Sequence, residues 1–183
     1  MPKKFNKNRK PEGLPYRPIG ECFLLYKGKL VAQKGINQNT KKLFLSLPGG
    51  GIDKGETPKK GATRELMEEL GAELKAPLKE ISILEWDWHK QWPDNDKRKG
   101  RYMKFRGERV HFFIGEVKKF VKPTSDEGDE WKGKKTMSLS NAYKIAMDDI
   151  KDKKEKDGYY HYNYAKLNII SVLNQLNKMK KIK

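Results

Sequence analysis

Three glutamates of this 183-residue chain stand at a spacing that could bind a metal ion. On a helix with 3.6 residues per turn, Glu65, Glu68 and Glu69 would share an arc of about 100°. Like charges at this spacing destabilise an isolated helix by about 0.2 to 0.5 kcal/mol per pair, and a cation placed against them would relieve the repulsion. Carboxylate oxygens are hard ligands that Mg²⁺ prefers, alongside waters and substrate phosphates. The spacing therefore favours a divalent metal site over a merely solvated acidic face.

A sharply delimited helix is predicted to carry these glutamates. Thr57 suits the N-cap and Pro58 the first helical position, while Gly71 is a favourable residue just past the last turn. Leu66 and Leu70 fall on a neighbouring arc, where they would pack against a sheet. That packing would hold the acidic face toward the residues that precede the helix.

The stretch before the helix is rich in glycine. Pro48 is followed by Gly49, Gly50 and Gly51. Because proline and consecutive glycines both oppose regular structure, we predict a loop with unusual backbone freedom at this point.

Residues 50–72 resemble the Nudix box, Gx5Ex7REUxEExGU, in which U is a bulky aliphatic residue. Leu66 fills the first aliphatic position, and Ala72, in the last, is smaller than the family usually has, which concerns packing rather than chemistry. A complete motif in register is far more specific than a lone glycine pattern. The fixed positions are occupied by Gly50, Glu56, Arg64, Glu65, Glu68, Glu69 and Gly71.

The resemblance implies a role for each of these residues. By similarity to the family, the three helical glutamates would bind Mg²⁺, or Mn²⁺ in its place, together with a carbonyl of the glycine stretch, best placed at Gly49. Glu56 and Arg64 resemble the family's ion pair between loop and helix, and an arginine–carboxylate bond suits that bracing role. The implied catalytic set is Glu56, Arg64, Glu65, Glu68 and Glu69, of which the last three are the metal ligands.

The resemblance also implies a reaction, in which a metal-activated water attacks one phosphorus of a diphosphate. A metal can lower the pKa of the water and neutralise charge on the leaving group, so a Ser or Cys nucleophile is not required. Glu65 could deprotonate the water or could bind metal only. Glu127 and Glu130, in the acidic segment SDEGDEW, are alternative candidates for an additional base or metal ligand.

Candidate substrate-binding residues lie downstream of the box. Trp86 and Trp88 would share one face of a strand, where they could either stack on a base or belong to the core. Trp92 lies in a polar segment and has less reason to be buried. Arg101 and Arg106 belong to a basic cluster between residues 97 and 109 that is interleaved with aromatic residues, a mixture that suits phosphates and stacked bases but also a solvated loop.

The composition fits a globular protein that attracts anions. The net charge is +17 with 36% charged residues, which should draw nucleotides or RNA toward the surface. The single cysteine, Cys22, is expected to pack inside a strand, and its isolation favours a reducing, cytoplasmic setting. We expect no membrane-spanning segment and no secretory signal. Oligomeric state is left open, with a homodimer among the alternatives.

The domain organisation is predicted to be simple. Residues 1–15 form a basic arm, 16–177 one domain and 178–183 a basic tail. Strands are expected around residues 22–26, 30–33, 43–47, 81–89 and 109–117, with a polar loop at 90–107. A strand-to-helix passage is expected at 138–150 and an amphipathic helix at 164–180. With the resemblance, this order implies a single-domain α/β/α Nudix sandwich with a central mixed β-sheet.

Three functions remain open at this level. The first is a Mg²⁺-dependent hydrolase of a nucleoside diphosphate linked to another moiety, or of a nucleoside triphosphate. The second is an RNA 5′-end pyrophosphohydrolase or decapping enzyme, which the basic charge motivates. The third is a Nudix-fold module that binds nucleic acid without catalysis, although such a module has no physical need for three mutually repelling carboxylates.

Overall fold

The computed structural model describes residues 13–36, 43–88, 96–124, 135–151 and 158–180. In this part of the chain, five strands precede the first helix, and the remaining strands and helices are interspersed after it. The strands are β1 (Tyr16–Tyr26), β2 (Lys29–Val31), β3 (Gln33–Ile36), β4 (Leu43–Ser46), β5 (Gly49–Gly51), β6 (Ala72–Leu74), β7 (Lys79–Asp87), β8 (Gly107–Phe120) and β9 (Thr136–Met137). The helices are α1 (Pro58–Leu70), α2 (Asp96–Lys104), α3 (Leu139–Ile150) and α4 (Gly158–Lys180).

The central sheet is built around two long neighbouring strands. β1 and β8 run parallel, with Tyr16 opposite Gly107 and Leu25 opposite Glu116. β1 is flanked by β5 and β2, and β8 is flanked by β7 and β6, all in antiparallel pairing. The sheet is therefore mixed, as predicted, and β3 and β4 form a separate two-stranded ribbon.

Helices cover both faces of this sheet. Alternate side chains of β1 point to opposite sides, so Cys22 and Leu24 belong to a core cluster with Leu66 of α1. Phe23 belongs to the other cluster, which includes residues of α3 and α4 such as Ile145 and Ile170. The predicted α/β/α sandwich is confirmed. Cys22 is buried, as its position in a strand indicated.

The helix that carries the Nudix box begins and ends where its sequence predicts. The hydroxyl of Thr57 accepts from Lys60 N at the N-cap, Pro58 opens the helix, and Gly71 closes it in the left-handed conformation with φ 60°. Leu66 and Leu70 are buried against the sheet.

Three predictions about local structure were wrong. The glycine stretch is not a loop, because its backbone groups pair with β1 and form β5, which compensates for the low strand propensity of glycine. The polar segment 90–107 contains α2. In α4 the apolar stripe is shifted from the one that the spacing of Ile169, Val172, Leu173 and Leu176 predicts, because Leu173 is buried while Val172 and Leu176 are 54% and 51% exposed.

The predicted chain ends are only partly described. Residues 1–12 of the expected N-terminal arm and 181–183 of the expected tail lie outside the described residues. α4 continues to Lys180, past the predicted boundary at residue 177. None of the helices in the described part of the chain is both long enough and apolar enough to cross a membrane.

Gly71 offers a test of how α1 is terminated. Its φ of 60° disfavours any residue with a side chain, and a Cβ there would collide with the carbonyl oxygen of Val121. We expect Gly71→Ala to lower the free energy of unfolding by at least about 1 to 3 kcal/mol, measured by urea denaturation. Gly100→Ala is the matched control, because nothing lies within 4 Å of its added Cβ in α2. This control should leave stability unchanged or raise it by about 0.5 to 1 kcal/mol. Equal effects of both substitutions would contradict the assignment.

Candidate active site

The acidic face of α1 is held directly against the glycine strand. The backbone N–H of Gly49 donates to Oε2 of Glu69 at 3.2 Å. The carboxylate of Glu65 lies so close to Gly50 that a Cβ at this position would overlap its oxygens. Gly50 is therefore required for close approach, and the helix and strand converge on one small region.

Arg64 joins the segment before α1 to the helix itself. Its Nε donates to Glu56 Oε1 at 3.0 Å and its Nη2 to Glu56 Oε2 at 3.1 Å. Nη2 also donates to the carbonyl oxygen of Gly51 at 2.9 Å. This two-pronged contact places Glu56 and Arg64 in the bracing arrangement that the resemblance implies.

The same guanidinium also touches the acidic face. Nη1 of Arg64 donates to Glu65 Oε1 at 3.1 Å and to Glu68 Oε2 at 2.8 Å. One cationic nitrogen thus bridges two carboxylates that would otherwise repel each other. As the side chains lie, no group of three or more His, Cys, Asp or Glu residues within the described ranges is close enough together to hold a metal ion.

The electrostatic environment differs between the glutamates. Burial raises the pKa of Glu65, and the charges of Glu68 and Asp53 raise it further, while Arg64 opposes the shift. The hydrogen bond from Arg64 lowers the pKa of Glu56, and the backbone N–H of Asp53 adds to the effect. Hydrogen bonding to Glu56 in turn raises the pKa of the Arg64 guanidinium. A nearby cation would therefore stabilise the charged form of Glu65, whereas the charge of Glu56 is already stabilised by Arg64.

The two tryptophans at the end of β7, Trp86 within the strand and Trp88 just after it, lie in the core rather than at an open surface. Trp86 and Trp88 are only 9% and 4% exposed. The Trp86 ring stacks on Tyr162 at 5.7 Å between centroids and contacts Tyr159 at 5.8 Å. Of the two alternatives that the sequence left open, the geometry favours core packing over stacking on a base.

Two arginines of the basic cluster pair with carboxylates of β7. Arg106 binds both oxygens of Asp87, at 2.8 and 2.9 Å, and lies over the ring of Tyr16. Arg109 donates to Glu85 at 2.6 Å. Arg101 is half-buried on α2. Because carboxylates of β7 already pair with Arg106 and Arg109, these two side chains are weaker phosphate ligands than the sequence pattern indicates.

Other predicted site residues cannot be placed. Trp92, Glu127 and Glu130 lie outside the described residues. Their roles stay predictions.

A buried polar group that the sequence did not indicate lies on the other face of β1. Glu21, Tyr162 and Lys166 interact there, and Tyr162 has its pKa raised well above the ordinary value by burial and then by the charge of Glu21. The signal in the sequence was a lysine and a tyrosine within the α4 stripe that also contains Ile170 and Leu173. Such residues are usually assigned to the solvent side of a helix.

The fold and the complete box together define a Nudix-type α/β domain. The family model described as NUDIX domain matches residues 17–158. The chain therefore belongs to the Nudix hydrolase family.

Individual relatives agree with this assignment but are distant. The RNA pyrophosphohydrolases of Brucella anthropi and Brucella ovis are each 37% identical over 84 residues, which cover 43% of this chain. These matches cover 46% and 45% of the two relatives, so less than half of their length is matched. A NUDIX hydrolase from Nitrosomonas europaea has a similar fold, with a TM-score of 0.50, 16% identity and coverage of 82% of this chain and 88% of that chain.

The depressed pKa of Glu56 predicts a pH-dependent contribution to stability. A carboxyl group whose pKa is lower in the folded state stabilises the fold above its unfolded pKa and loses that effect as pH falls through its folded pKa. We expect wild type to be more stable than Glu56→Gln at pH 7, and the difference to shrink as pH falls below about 4.3, the ordinary glutamate value.

Urea denaturation of both proteins between pH 3 and pH 7 would measure this difference. Glu116→Gln is the matched control, because Glu116 pairs with Lys75 at an exposed position, where an ion pair contributes little to stability. A stability difference for Glu56→Gln that is independent of pH would show that the Arg64–Glu56 contact does not brace the site through its charge.

Proposed function

We propose that this chain is a Mg²⁺-dependent hydrolase that cleaves a pyrophosphate bond in a nucleotide substrate. The substrate class is a nucleoside diphosphate linked to another moiety, or a nucleoside triphosphate. The proposal is carried by one observation, that Arg64 Nη1 lies within 3.1 Å of Glu65 and 2.8 Å of Glu68. A single positive charge already bridges two carboxylates of the box, and this is the environment that a divalent cation would find.

The donor set fits a hard divalent cation. Glu65, Glu68 and Glu69 would hold Mg²⁺, or Mn²⁺ in its place, with the carbonyl of Gly49 as a further candidate ligand. When bound, the metal would supply Lewis-acid stabilisation and a lowered water pKa. Glu65 and Glu68 would then exchange part of their contact with Arg64 for the ion. Arg64 would keep its two bonds to Glu56 and its bond to Gly51, so the segment between β5 and α1 would stay fixed to the helix.

The residues of the chain would hold the site in place and accept the proton of the attacking water. Glu56 and Arg64 would hold the start of α1 beside β5. Glu65 is a candidate base because burial raises the pKa of its carboxyl group, which makes the carboxylate a stronger proton acceptor. Glu127 and Glu130 stay alternative candidates for the base or for another metal ligand.

Glu69→Gln tests the metal-site assignment directly. The amide keeps the size of the side chain but removes its charge, so a metal ligand would be lost. We expect kcat with Mg²⁺ to fall at least about 100-fold, because even outer-shell partners of metal sites contribute about 10- to 100-fold. The measurement is hydrolysis of a panel of nucleoside triphosphates and nucleoside diphosphate conjugates.

Glu73→Gln is the matched control for this experiment. Glu73 lies just beyond α1 and pairs with Lys119 at 3.2 Å, so the same chemical change there should leave hydrolysis intact. Unchanged turnover by Glu69→Gln would refute the assignment. Running the wild-type reaction in ¹⁸O water would identify the attacked phosphorus.

A second candidate function is removal of pyrophosphate from RNA 5′ ends. Two observations favour it, namely the net charge of +17 and the local similarity to proteins named RNA pyrophosphohydrolase. The pairing of Arg106 and Arg109 with acidic residues argues that this part of the basic cluster would contribute less than its charge indicates. Such an activity would also fit a cytoplasmic location, which we propose with it.

RNA binding can be tested through its dependence on salt. For single-stranded RNA, the slope of log K against log salt is about −0.7 for each phosphate that a basic side chain neutralises. We expect the affinity for a triphosphorylated RNA to fall steeply between 50 and 200 mM salt. We also expect this RNA to be hydrolysed faster than a free nucleoside triphosphate. A mononucleotide is the matched control ligand. A shallow slope with faster turnover of free nucleotides would favour the first function, and tight RNA binding without any turnover would favour a non-catalytic module.

A further inference from the structure

A buried ion pair joins α4 to the strand that adjoins the candidate site. Nζ of Lys166 lies 3.2 Å from Oε1 of Glu21, and the two side chains are only 6% and 8% exposed. Tyr162, one turn earlier on α4, donates its hydroxyl hydrogen to Glu21 Oε2 at 2.8 Å. Lys166 Nζ also donates to the carbonyl oxygen of Leu45 at 3.0 Å. Glu21, Tyr162 and Lys166 are termed the buried triad.

Charges in such a position are unfavourable unless their partners are complete. Removing a carboxylate and an ammonium from water carries a penalty that only good geometry and further hydrogen bonds offset. In the buried triad each oxygen of Glu21 has a donor, and Lys166 lies 4.7 Å from the centre of the Tyr162 ring. Apolar side chains of similar volume would fill the same space without this penalty. Packing alone therefore does not explain why the triad is charged.

The buried triad is connected to the acidic face of α1 through β5. Glu21 is paired with Gly49 in the β1–β5 ladder. The N–H of Gly49 in turn donates to Glu69 Oε2. A short path of backbone pairing and hydrogen bonds thus runs from α4 to the candidate metal ligands.

We propose that the buried triad is a positioning device for the metal-binding face. Tyr162 and Lys166 fix Glu21, which sets β5 at the register in which the Gly49 N–H holds Glu69. This inference rests on the proposed function, because it concerns the same carboxylates. The members of the triad act through Gly49 and Glu69 rather than on the substrate. Their loss should therefore weaken metal binding and lower kcat, with little change in KM for the nucleotide.

Tyr162→Phe is the most informative variant because it removes one hydroxyl and keeps the ring. Mn²⁺ affinity of the full chain, measured from the electron paramagnetic resonance signal of free Mn²⁺, should fall about 10-fold, the lower end of the effect of outer-shell partners. This readout does not depend on turnover. Lys166→Met should weaken Mn²⁺ binding at least as much, because it leaves the Glu21 carboxylate buried without its cation. Circular dichroism would confirm that each variant is folded.

Tyr160→Phe is the matched control on the same helix. Tyr160 stacks on Tyr164 with centroids 5.8 Å apart, and the loss of its hydroxyl should leave Mn²⁺ affinity, kcat and KM unchanged. If Tyr162→Phe and Lys166→Met bind Mn²⁺ like wild type and lose only thermal stability, the triad is a structural clamp and the inference is wrong. If Lys166→Met does not fold, Tyr162→Phe decides alone.

Glu69→Gln, titrated with Mn²⁺ in parallel, separates this inference from the proposed function. If wild type binds no Mn²⁺, or if Glu69→Gln binds it as tightly as wild type, the metal site is wrong and the inference falls with it. If Glu69→Gln loses Mn²⁺ binding while the triad variants keep it, only the positioning role is refuted.

Discussion

The contacts of Arg64 are the interaction on which the candidate site depends. One guanidinium reaches Glu56 and Gly51 on the segment before α1, and Glu65 and Glu68 on the helix. Arginine suits this position because its planar fork donates in several fixed directions and stays charged at all relevant pH values. A lysine could supply the charge but not the two parallel bonds to Glu56. The directions of the arginine hydrogen bonds therefore matter more for fixing the site than the positive charge alone.

The rest of the fold positions this contact. Gly71 ends α1 in a left-handed conformation, and Leu66 and Leu70 bury a neighbouring face of the helix, so the helix cannot rotate without exposing them. β5 forms the other wall, and because it pairs with β1, the central sheet fixes the positions of Gly49 and Gly50. The acidic face is therefore defined on two sides by well-packed elements, which is the arrangement that precise ligand placement requires.

The sequence predicts this part of the molecule well because the signals are local. The caps of α1, the spacing of its glutamates and the spacing of Leu66 and Leu70 all depend on residues within a few turns of one another. The predictions that were wrong or were left open depend on distant contacts. Gly49–Gly51 is a strand only because β1 provides hydrogen-bond partners, and Trp86 is buried only because α4 brings Tyr162 over it. Likewise, Lys166 gives no sign of burial until Glu21, far away in the sequence, lies beside it.

Charge distribution places a further constraint on function. The protein carries a net charge of +17, yet the candidate site concentrates Glu56, Glu65 and Glu68 around a single arginine, and Glu69 lies on the same helix. A polyphosphate would be drawn toward the protein as a whole but repelled by these carboxylates at short range. The divalent cation proposed for this site would resolve the conflict, because it would attract the carboxylates on one side and the phosphates on the other. The proposed metal would thus make the acidic site and the basic surface compatible with one anionic substrate.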